Sequence, residues 1–296
     1  MSNLPPEFLR FLERADAVLA RVDTLLPPPP CPVNWEAHAY RWRRQRAGMQ
    51  GRGQLEAVLH PHRMRVEDLH GVEEQLARID QNTRQFVAGR SANNVLLTGA
   101  RGTGKSSLVK AMLDRYGQQG LRLIEVDKDD LVDLPDLVDL VAGRSERYII
   151  FSDDLSFEAG DASYKALKSV LDGSIAGTPQ NVLIYATSNR RHLMPEFMSE
   201  NLETRVENGE IRPGDTTEEK VSLSERFGLW ISFYPFDQDQ YLAICAHWLA
   251  SFGLTAAQIE AARTEALQWS LLRGARSGRV AWQFARDYAG RLESGT

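Results

Sequence analysis

The chain has 296 residues, of which 43% are hydrophobic and 25% charged, so it can form one sizeable core with smaller appendages and is not composed like a disordered protein. Its 35 Lys and Arg against 40 Asp and Glu give a net charge of −5, which provides no overall attraction to nucleic acid or to an anionic membrane. The two cysteines have no ligand-spaced partners, which argues against a zinc site or a disulfide framework and favours a reducing compartment.

The N-terminal segment is predicted to be a helix on a proline linker. It does not combine a basic region with an apolar run, and no stretch of the chain approaches the roughly 18 apolar residues of a membrane span, so we expect a cytoplasmic protein that makes no membrane contact. Apolar residues recur at helical spacing over residues 7–26. Pro27 to Pro30 and Pro32 then stop the helix, because proline lacks an amide hydrogen and fixes φ.

A segment rich in arginine and tryptophan, residues 35–46, follows the linker. Cations beside stacking rings suit single-stranded nucleic acid, but they also suit packing within the chain, against another subunit or against a protein partner. The acidic total charge makes nucleic acid possible but not favoured. A proline turn at His60-Pro61-His62 marks entry into the main domain. We expect a helical arm with its linker over residues 1–60, an αβα core over 61–235 and a helical domain over 236–296.

The elements predicted after residue 61 alternate between helix and strand. The strands are short, apolar throughout and separated by helices, which is the pattern of a parallel sheet covered on both faces. Residues 200–225 are polar and are predicted to form a long loop before the last strand. The predicted fold is an αβα sandwich with a parallel five-stranded sheet and a helical C-terminal domain. Helices are predicted over 73–87, 105–116, 131–141, 162–171 and near 237–252, 255–272 and 278–293, and strands over 94–98, 121–126, 148–152, 182–187 and 229–233.

A phosphate-binding loop is predicted between the first of these strands and the helix after it. Residues 99–106 read Gly-Ala-Arg-Gly-Thr-Gly-Lys-Ser, a complete match to G-x-x-x-x-G-K-[ST] (Walker A). Backbone amides of such a loop surround phosphate oxygens, and the helix adds the positive end of its dipole. Lys105 is expected to reach the β- and γ-phosphates and the Ser106 hydroxyl to bind Mg²⁺, whereas Arg101 stands at a variable position and receives no role. The residues expected to bind nucleotide are Gly99, Gly102, Thr103, Gly104, Lys105, Ser106 and Ser107.

Two carboxylates end the strand predicted over 148–152, which makes it a Walker B element. Asp153 would hold Mg²⁺, since this hard cation prefers oxygen ligands. Asp154 occupies the position of the residue that activates water. Such a pair alone is often only a helix N-cap, but this one follows a complete phosphate loop by about fifty residues.

Together these motifs resemble the AAA+ ATPases over about residues 61–290, and in particular an uncharacterised bacterial family of predicted AAA+ ATPases. The resemblance implies ATP with Mg²⁺, a homo-oligomer and a C-terminal helical lid. Gly71 and Val72, in Leu69-His70-Gly71-Val72, would lie on the adenine side. Asn189, which ends Ala186-Thr187-Ser188-Asn189, would be sensor 1 and position the attacking water.

Two arginines also receive roles through the resemblance. Arg226 precedes the last strand, where the family often places an arginine finger that acts on the next protomer. Arg279, in Ser277-Gly278-Arg279, resembles sensor 2, and Arg276 competes for that place.

One departure from the family concerns the general base. Most AAA+ members have Glu where this chain has Asp154, and the shorter side chain withdraws the carboxylate, so either Asp154 acts slowly or Glu158 takes the role. The leading interpretation is an ATPase that remodels or loads an unidentified macromolecule, with a protein as the favoured partner. A slow or non-hydrolysing nucleotide-dependent switch or scaffold is the alternative, and a P-loop kinase for a small molecule is less favoured.

Overall fold

A seven-stranded sheet forms the centre of the protein in the computed structural model. The structure describes residues 5–23, 32–44, 53–157, 161–173, 179–189, 193, 205–207, 210–212 and 223–293. The strands are β1 (Ala39–Arg44), β2 (Gly53–Ala57), β3 (Val95–Gly99), β4 (Leu121–Val126), β5 (Arg147–Ser152), β6 (Val182–Ser188), β7 (Arg205–Glu207), β8 (Glu210–Arg212) and β9 (Leu229–Phe233). The helices are α1 (Pro6–Asp23), α2 (Glu73–Val87), α3 (Lys105–Tyr116), α4 (Leu134–Ala142), α5 (Ala162–Asp172), α6 (Gln238–Ser251), α7 (Ala256–Arg273) and α8 (Gly278–Glu293).

The sheet order is β2-β1-β4-β5-β6-β3-β9, and all neighbours are parallel except β1 and β2. Every residue of β6 is buried, as expected for a central parallel strand between two helical layers. One core contains residues of α2 and α3 and continues into α6 to α8, and a second core on the other face contains residues of α4 and α5. The expected αβα sandwich with a C-terminal helical lid is confirmed.

The sheet has two strands more than expected, because residues assigned to the N-terminal arm form a hairpin along its edge. Strand β1 pairs in parallel with β4 and antiparallel with β2, with Trp42 opposite Leu55. Tyr40 and Trp42 point into the core, and the Trp42 side chain is only 5% exposed. The indole lies over Gly53, where an added Cβ would come within 1.9 Å of the ring. These residues therefore belong to the sheet and not to a separate helical arm.

The three arginines of β1 are paired with acids of the same chain. The pairs are Arg41–Glu125 at 2.9 Å, Arg43–Glu56 at 3.6 Å and Arg44–Asp133 at 3.9 Å. Trp35 precedes the hairpin, and the guanidinium of Arg144 lies 3.7 Å from the centre of its ring. The aromatic rings of residues 35–46 thus pack against other parts of the same chain, which agrees with the packing interpretation of this segment.

Helix α1 is amphipathic and its apolar side chains are exposed. These residues are Phe8, Leu9, Phe11, Leu12, Val18 and Leu19. No helix within the described ranges has the length and apolar character needed to cross a membrane.

The lid helices start and end at clear sequence signals. Asp237 and Gln240 form a capping box at the start of α6, and Thr255 and Gln258 form another at the start of α7. Gly274 ends α7 in the left-handed conformation, with φ 65°. These stops set the short connections that let three helices pack on one another.

The buried hairpin predicts a large cost for truncating its central ring. We expect Trp42→Ala to lower the free energy of unfolding by about 3–5 kcal/mol, because it removes a buried aromatic side chain. Gly53→Ala should also destabilise, since the Trp42 ring occupies the position of the new Cβ. Urea unfolding of full-length protein measures both, and Tyr234→Ala is the control because that side chain is 74% exposed. Unchanged unfolding of Trp42→Ala would mean that the hairpin lies outside the cooperative core.

Candidate functional site

Three neighbouring strands bring the predicted site residues to one edge of the sheet. Strands β5, β6 and β3 are adjacent and parallel, so their carboxyl ends lie side by side. The phosphate loop follows β3, Asp153 and Asp154 follow β5, and Asn189 follows β6. A cleft of about 870 Å³ opens there between the sheet edge and the lid.

The phosphate loop has the backbone geometry that its glycines allow. Gly99, Gly102 and Gly104 all have positive φ, which an L side chain would oppose. An added Cβ at Gly99 would lie 1.9 Å from the Phe233 carbonyl oxygen of β9. Helix α3 begins directly after Gly104 with no side-chain cap, so its first amides are not used by a capping side chain. This arrangement fits an anion such as a nucleotide phosphate. Of the predicted phosphate-binding residues, Gly102, Thr103, Gly104, Lys105, Ser106 and Ser107 line the cleft.

The Lys105 side chain is buried within the loop. Its Nζ donates to the carbonyls of Gly99 at 2.8 Å and Ala100 at 2.7 Å and to Asn189 Oδ1 at 2.9 Å. Burial lowers the pKa of Lys105, and the carboxylates of Asp153 and Asp154 act in the opposite direction. The cation therefore lies between the loop and the two strand ends.

Asp153 links the loop to β6 as well. Its Oδ1 accepts from Ser106 Oγ at 2.6 Å and from the Thr187 hydroxyl. Ser106 and Asp153 thus present two converging oxygen groups beside the loop, which fits the hard-ligand chemistry of Mg²⁺. Thr187 receives no role in the sequence analysis, although it lies in the same run as Asn189.

Asp154 is held in place from several directions. It is the one residue other than glycine, in the described part of the chain, with positive φ, at 54°. Its amide donates to Thr187 Oγ1 at 2.9 Å, and its Oδ1 accepts from Asn189 Nδ2. Arg101 Nη2 lies 3.6 Å from Oδ2. Strain of this kind concentrates at functional sites.

Asn189 joins the two groups expected to act on ATP. Its Oδ1 accepts from Lys105 Nζ and its Nδ2 donates to Asp154. The structure therefore brings Lys105, Asp154 and Asn189 together. Glu158, the other candidate base, lies outside the described residues.

The lid rests directly on the phosphate loop. The Gly278 amide donates to the Gly102 carbonyl at 2.9 Å. A Cβ at Gly102 would lie 2.8 Å from Ser277 Oγ, so only glycine allows this approach. Arg279 lines the cleft from the start of α8, whereas Arg276 is not among the described lining residues.

Apolar side chains also line the cleft. Gly71 has φ 73° and packs against Phe236, since a Cβ added to Gly71 would lie 3.1 Å from that ring. Val72 is buried and contributes to the wall. The apolar lining side chains are Met64, Leu69, Val72, Phe236, Ile244, Trp248 and Trp282. Trp248 and Trp282 could not be assigned from the sequence, because tertiary packing decides which face of a lid helix meets the cleft.

Two histidines connect the loop before α2 to the lid. The rings of His70 and His247 have centres 4.1 Å apart, and His247 Nε2 is 3.3 Å from Asp68 Oδ1. Burial and then the neighbouring His247 lower the pKa of His70. The Arg65 hydrogen bond lowers the pKa of Asp68. These contacts connect the loop before α2 with helix α6.

Arg226 is not among the described residues that line the cleft. It precedes β9, and its Nε pairs with Asp172 at the end of α5. In this chain Arg226 therefore does not join Lys105, Asp154 and Asn189. A role in the site of another protomer stays a prediction.

Comparison with known proteins gives one family and several structures. The family model described as "Protein of unknown function (DUF815)" matches residues 35–292. A search of curated proteins found no match. A point mutant of Thermotoga maritima RuvB is 14% identical, with a TM-score of 0.46 over 75% of this chain and 63% of that chain.

Two further structures have similar scores. The Escherichia coli MS115-1 HORMA:CdnC:Trip13 complex gives 13% identity and a TM-score of 0.46 over 75% of this chain and 89% of that one. A DNA replication initiation factor gives 15% identity and a TM-score of 0.47 over 80% of this chain and 65% of that one. The chain thus spans less than two thirds of the RuvB and initiation factor chains.

The contact between lid and loop predicts a specific effect of Gly102→Ala. The new methyl would clash with Ser277 and should weaken ATP binding by about tenfold, equivalent to about 1.4 kcal/mol. Gly120→Ala is the matched control, because Gly120 has φ +96° but nothing within 4 Å of an added Cβ. Both variants carry left-handed strain of about 1–2 kcal/mol, so thermal unfolding should change similarly while calorimetry with ATP separates them. Equal ATP affinity in the two variants would contradict this role of the contact.

Proposed function

The chain belongs to the DUF815 family, and we propose that it binds ATP with Mg²⁺ and hydrolyses it to drive the remodelling or loading of a macromolecular partner. The observation that carries this proposal is the convergence of Lys105, Ser106, Asp153, Asp154 and Asn189 in one cleft at the carboxyl edge of the sheet. Lys105 would meet the β- and γ-phosphates. Ser106 and Asp153 would hold Mg²⁺, which supplies positive charge to the phosphate oxygens when it is bound.

In the proposed reaction, Asp154 accepts a proton from water whose oxygen attacks the γ-phosphorus. The bond from that phosphorus to the β–γ bridging oxygen breaks, and ADP and inorganic phosphate are released. Asn189 orients the Asp154 carboxylate through its amide. The hydrogen bond between these side chains supports this assignment.

The alternative is a nucleotide-dependent switch with little turnover. It is supported by the same carboxylate, because Asp154 has a short side chain and already accepts a hydrogen bond from Asn189. A P-loop kinase is less favoured, since Gly278 and Arg279 of the lid lie at the phosphate loop.

For partners, we propose a homo-oligomer that acts on a protein. The exposed apolar side chains of α1 offer a surface for protein contact, because large exposed apolar patches commonly mark interaction sites. Nucleic acid is not favoured, since the three arginines of β1 are paired with acids.

Two substitutions separate binding from hydrolysis. Lys105→Ala should abolish ATP binding in calorimetry, because it removes the cation that meets the phosphates. Asp154→Asn should bind ATP as the parent does but release phosphate about 10²–10⁴ times more slowly, the usual contribution of a general base. Lys165→Ala and Asp139→Asn, at exposed helix positions, are the controls.

Each result leads to a definite conclusion. A parent protein that binds ATP but releases no phosphate would favour the switch, and a phosphorylated acceptor would favour the kinase. Unchanged ATP affinity in Lys105→Ala would overturn the phosphate-loop assignment. Loss of hydrolysis in Glu158→Gln with normal hydrolysis in Asp154→Asn would transfer the base to Glu158.

The arginine finger is tested by mixing variants. Arg226→Ala should bind ATP normally and hydrolyse it about 10³-fold more slowly, because an arginine supplied in trans stabilises charge in the transition state. Asp154→Asn subunits keep Arg226, and Arg226→Ala subunits keep Asp154, so the mixture should recover part of the lost activity. Arg115→Ala, which breaks an ion pair with Asp80 of 2.9 Å, is the control. A mixture that stays inactive, with activity per protomer independent of concentration, would favour a monomeric switch.

A further inference from the structure

Arg101 is a charged residue of the cleft to which the proposed reaction gives no role. It is the third residue of the phosphate loop, lines the cleft and has a side chain that is 78% exposed. Its guanidinium faces the end of β5, where Nη2 lies 3.6 Å from Asp154 Oδ2. It therefore connects the loop that would bind phosphate to the carboxylate that would activate water.

The two oxygens of Asp154 have different partners. Oδ1 accepts from Asn189, whose other amide atom is held by Lys105, so this contact belongs to a continuous hydrogen-bonded chain. Oδ2 faces only the exposed Arg101 among the ion pairs of the described residues, and exposed pairs at such distances are weak. The Arg101 contact is thus the one that a stronger anion can replace.

A terminal phosphate is such an anion. It offers three oxygens and more charge than one carboxylate, and a planar guanidinium binds two of these oxygens at once. The loop already contains Arg101, so no movement of another domain is needed for it to meet a phosphate held by Lys105. Its long and exposed side chain has the freedom to turn.

We propose that Arg101 is a cis-acting arginine of this site, which binds the terminal phosphate of ATP and thereby releases Oδ2 of Asp154. The inference rests on the proposed ATP binding and adds a residue that distinguishes ATP from ADP. With ADP the Arg101–Asp154 pair is kept. With ATP the carboxylate oxygen is freed at the moment when a water must be activated.

Binding measurements test the contact without turnover. Arg101→Gln should weaken binding of the β,γ-imido analogue of ATP about tenfold, the scale of a charge-assisted hydrogen bond, and change ADP affinity less than about twofold. Arg101→Lys should retain part of the preference for the triphosphate because it keeps the charge. Arg43→Gln is the matched control, since Arg43 makes an exposed pair with Glu56 at the same 3.6 Å on the hairpin edge. An equal loss for both nucleotides, or no loss, would overturn the inference.

Mixing experiments show whether Arg101 acts within its own protomer. Arg101→Gln and Asp154→Asn affect one site, so a mixture of these two variants should recover no hydrolysis. Arg101→Gln mixed with Arg226→Ala should recover part of it, because a site formed by an Arg226→Ala protomer and the Arg226 of an Arg101→Gln neighbour carries neither defect. Recovery in the first mixture would overturn the cis assignment. If Lys105→Ala loses ATP binding while Arg101→Gln keeps it, only this inference fails; if the parent binds neither nucleotide, the proposed function fails as well.

Discussion

The carboxylate of Asp153 is the point at which the parts of the cleft meet. It accepts from Ser106 Oγ of the phosphate loop at 2.6 Å and from Thr187 of β6, and it stands at the end of β5. One side chain thus connects the ends of three adjacent strands. Because the Thr187 hydroxyl also accepts from the Asp154 amide, at 2.9 Å, the geometry of Asp154 depends on the same interaction. The geometry of the loop and of the candidate base is therefore set jointly.

These shared hydrogen bonds also fix the direction of the short Asp154 side chain. At φ 54° the backbone of Asp154 is in a conformation that costs energy for a residue other than glycine, and it persists because Thr187 and Asn189 hold it. A turn of the backbone redirects the side chain, whereas an extra methylene would lengthen it. The direction of the Asp154 carboxylate therefore depends on this backbone conformation.

The sequence predicts those parts of the site that depend on local chemistry. Residues 99–106 and the acids after β5 are recognisable because a phosphate loop requires glycines at fixed positions and because parallel strands end at one edge. The hairpin is different, since Tyr40 and Trp42 alternate with arginines as in a strand, but only pairing with β4 shows where that strand belongs. Arg101 likewise occupies a position that the phosphate-loop pattern leaves open. Its contact is known only from the fold, in which the end of β5 places Asp154 Oδ2 3.6 Å from Arg101 Nη2. The partner of an arginine is a property of the fold and not of the motif.

Gly102 lets the lid contact the phosphate loop directly, so a ligand of the loop also lies beside the lid. The Gly102 carbonyl accepts from the Gly278 amide at 2.9 Å, and the missing side chain leaves space for Ser277. The tilted rings of His70 and His247, with centres 4.1 Å apart, give the lid a second contact, with the loop before α2. The lid is therefore held by two separate contacts. A ligand between these contacts interacts with loop and lid together, so its binding energy depends on their relative position. By reciprocity, a partner that bound the lid would change the affinity for the proposed nucleotide by the same factor by which the nucleotide changed the affinity for the partner. Under the proposed function, that linkage would connect the phosphate loop to the macromolecular partner.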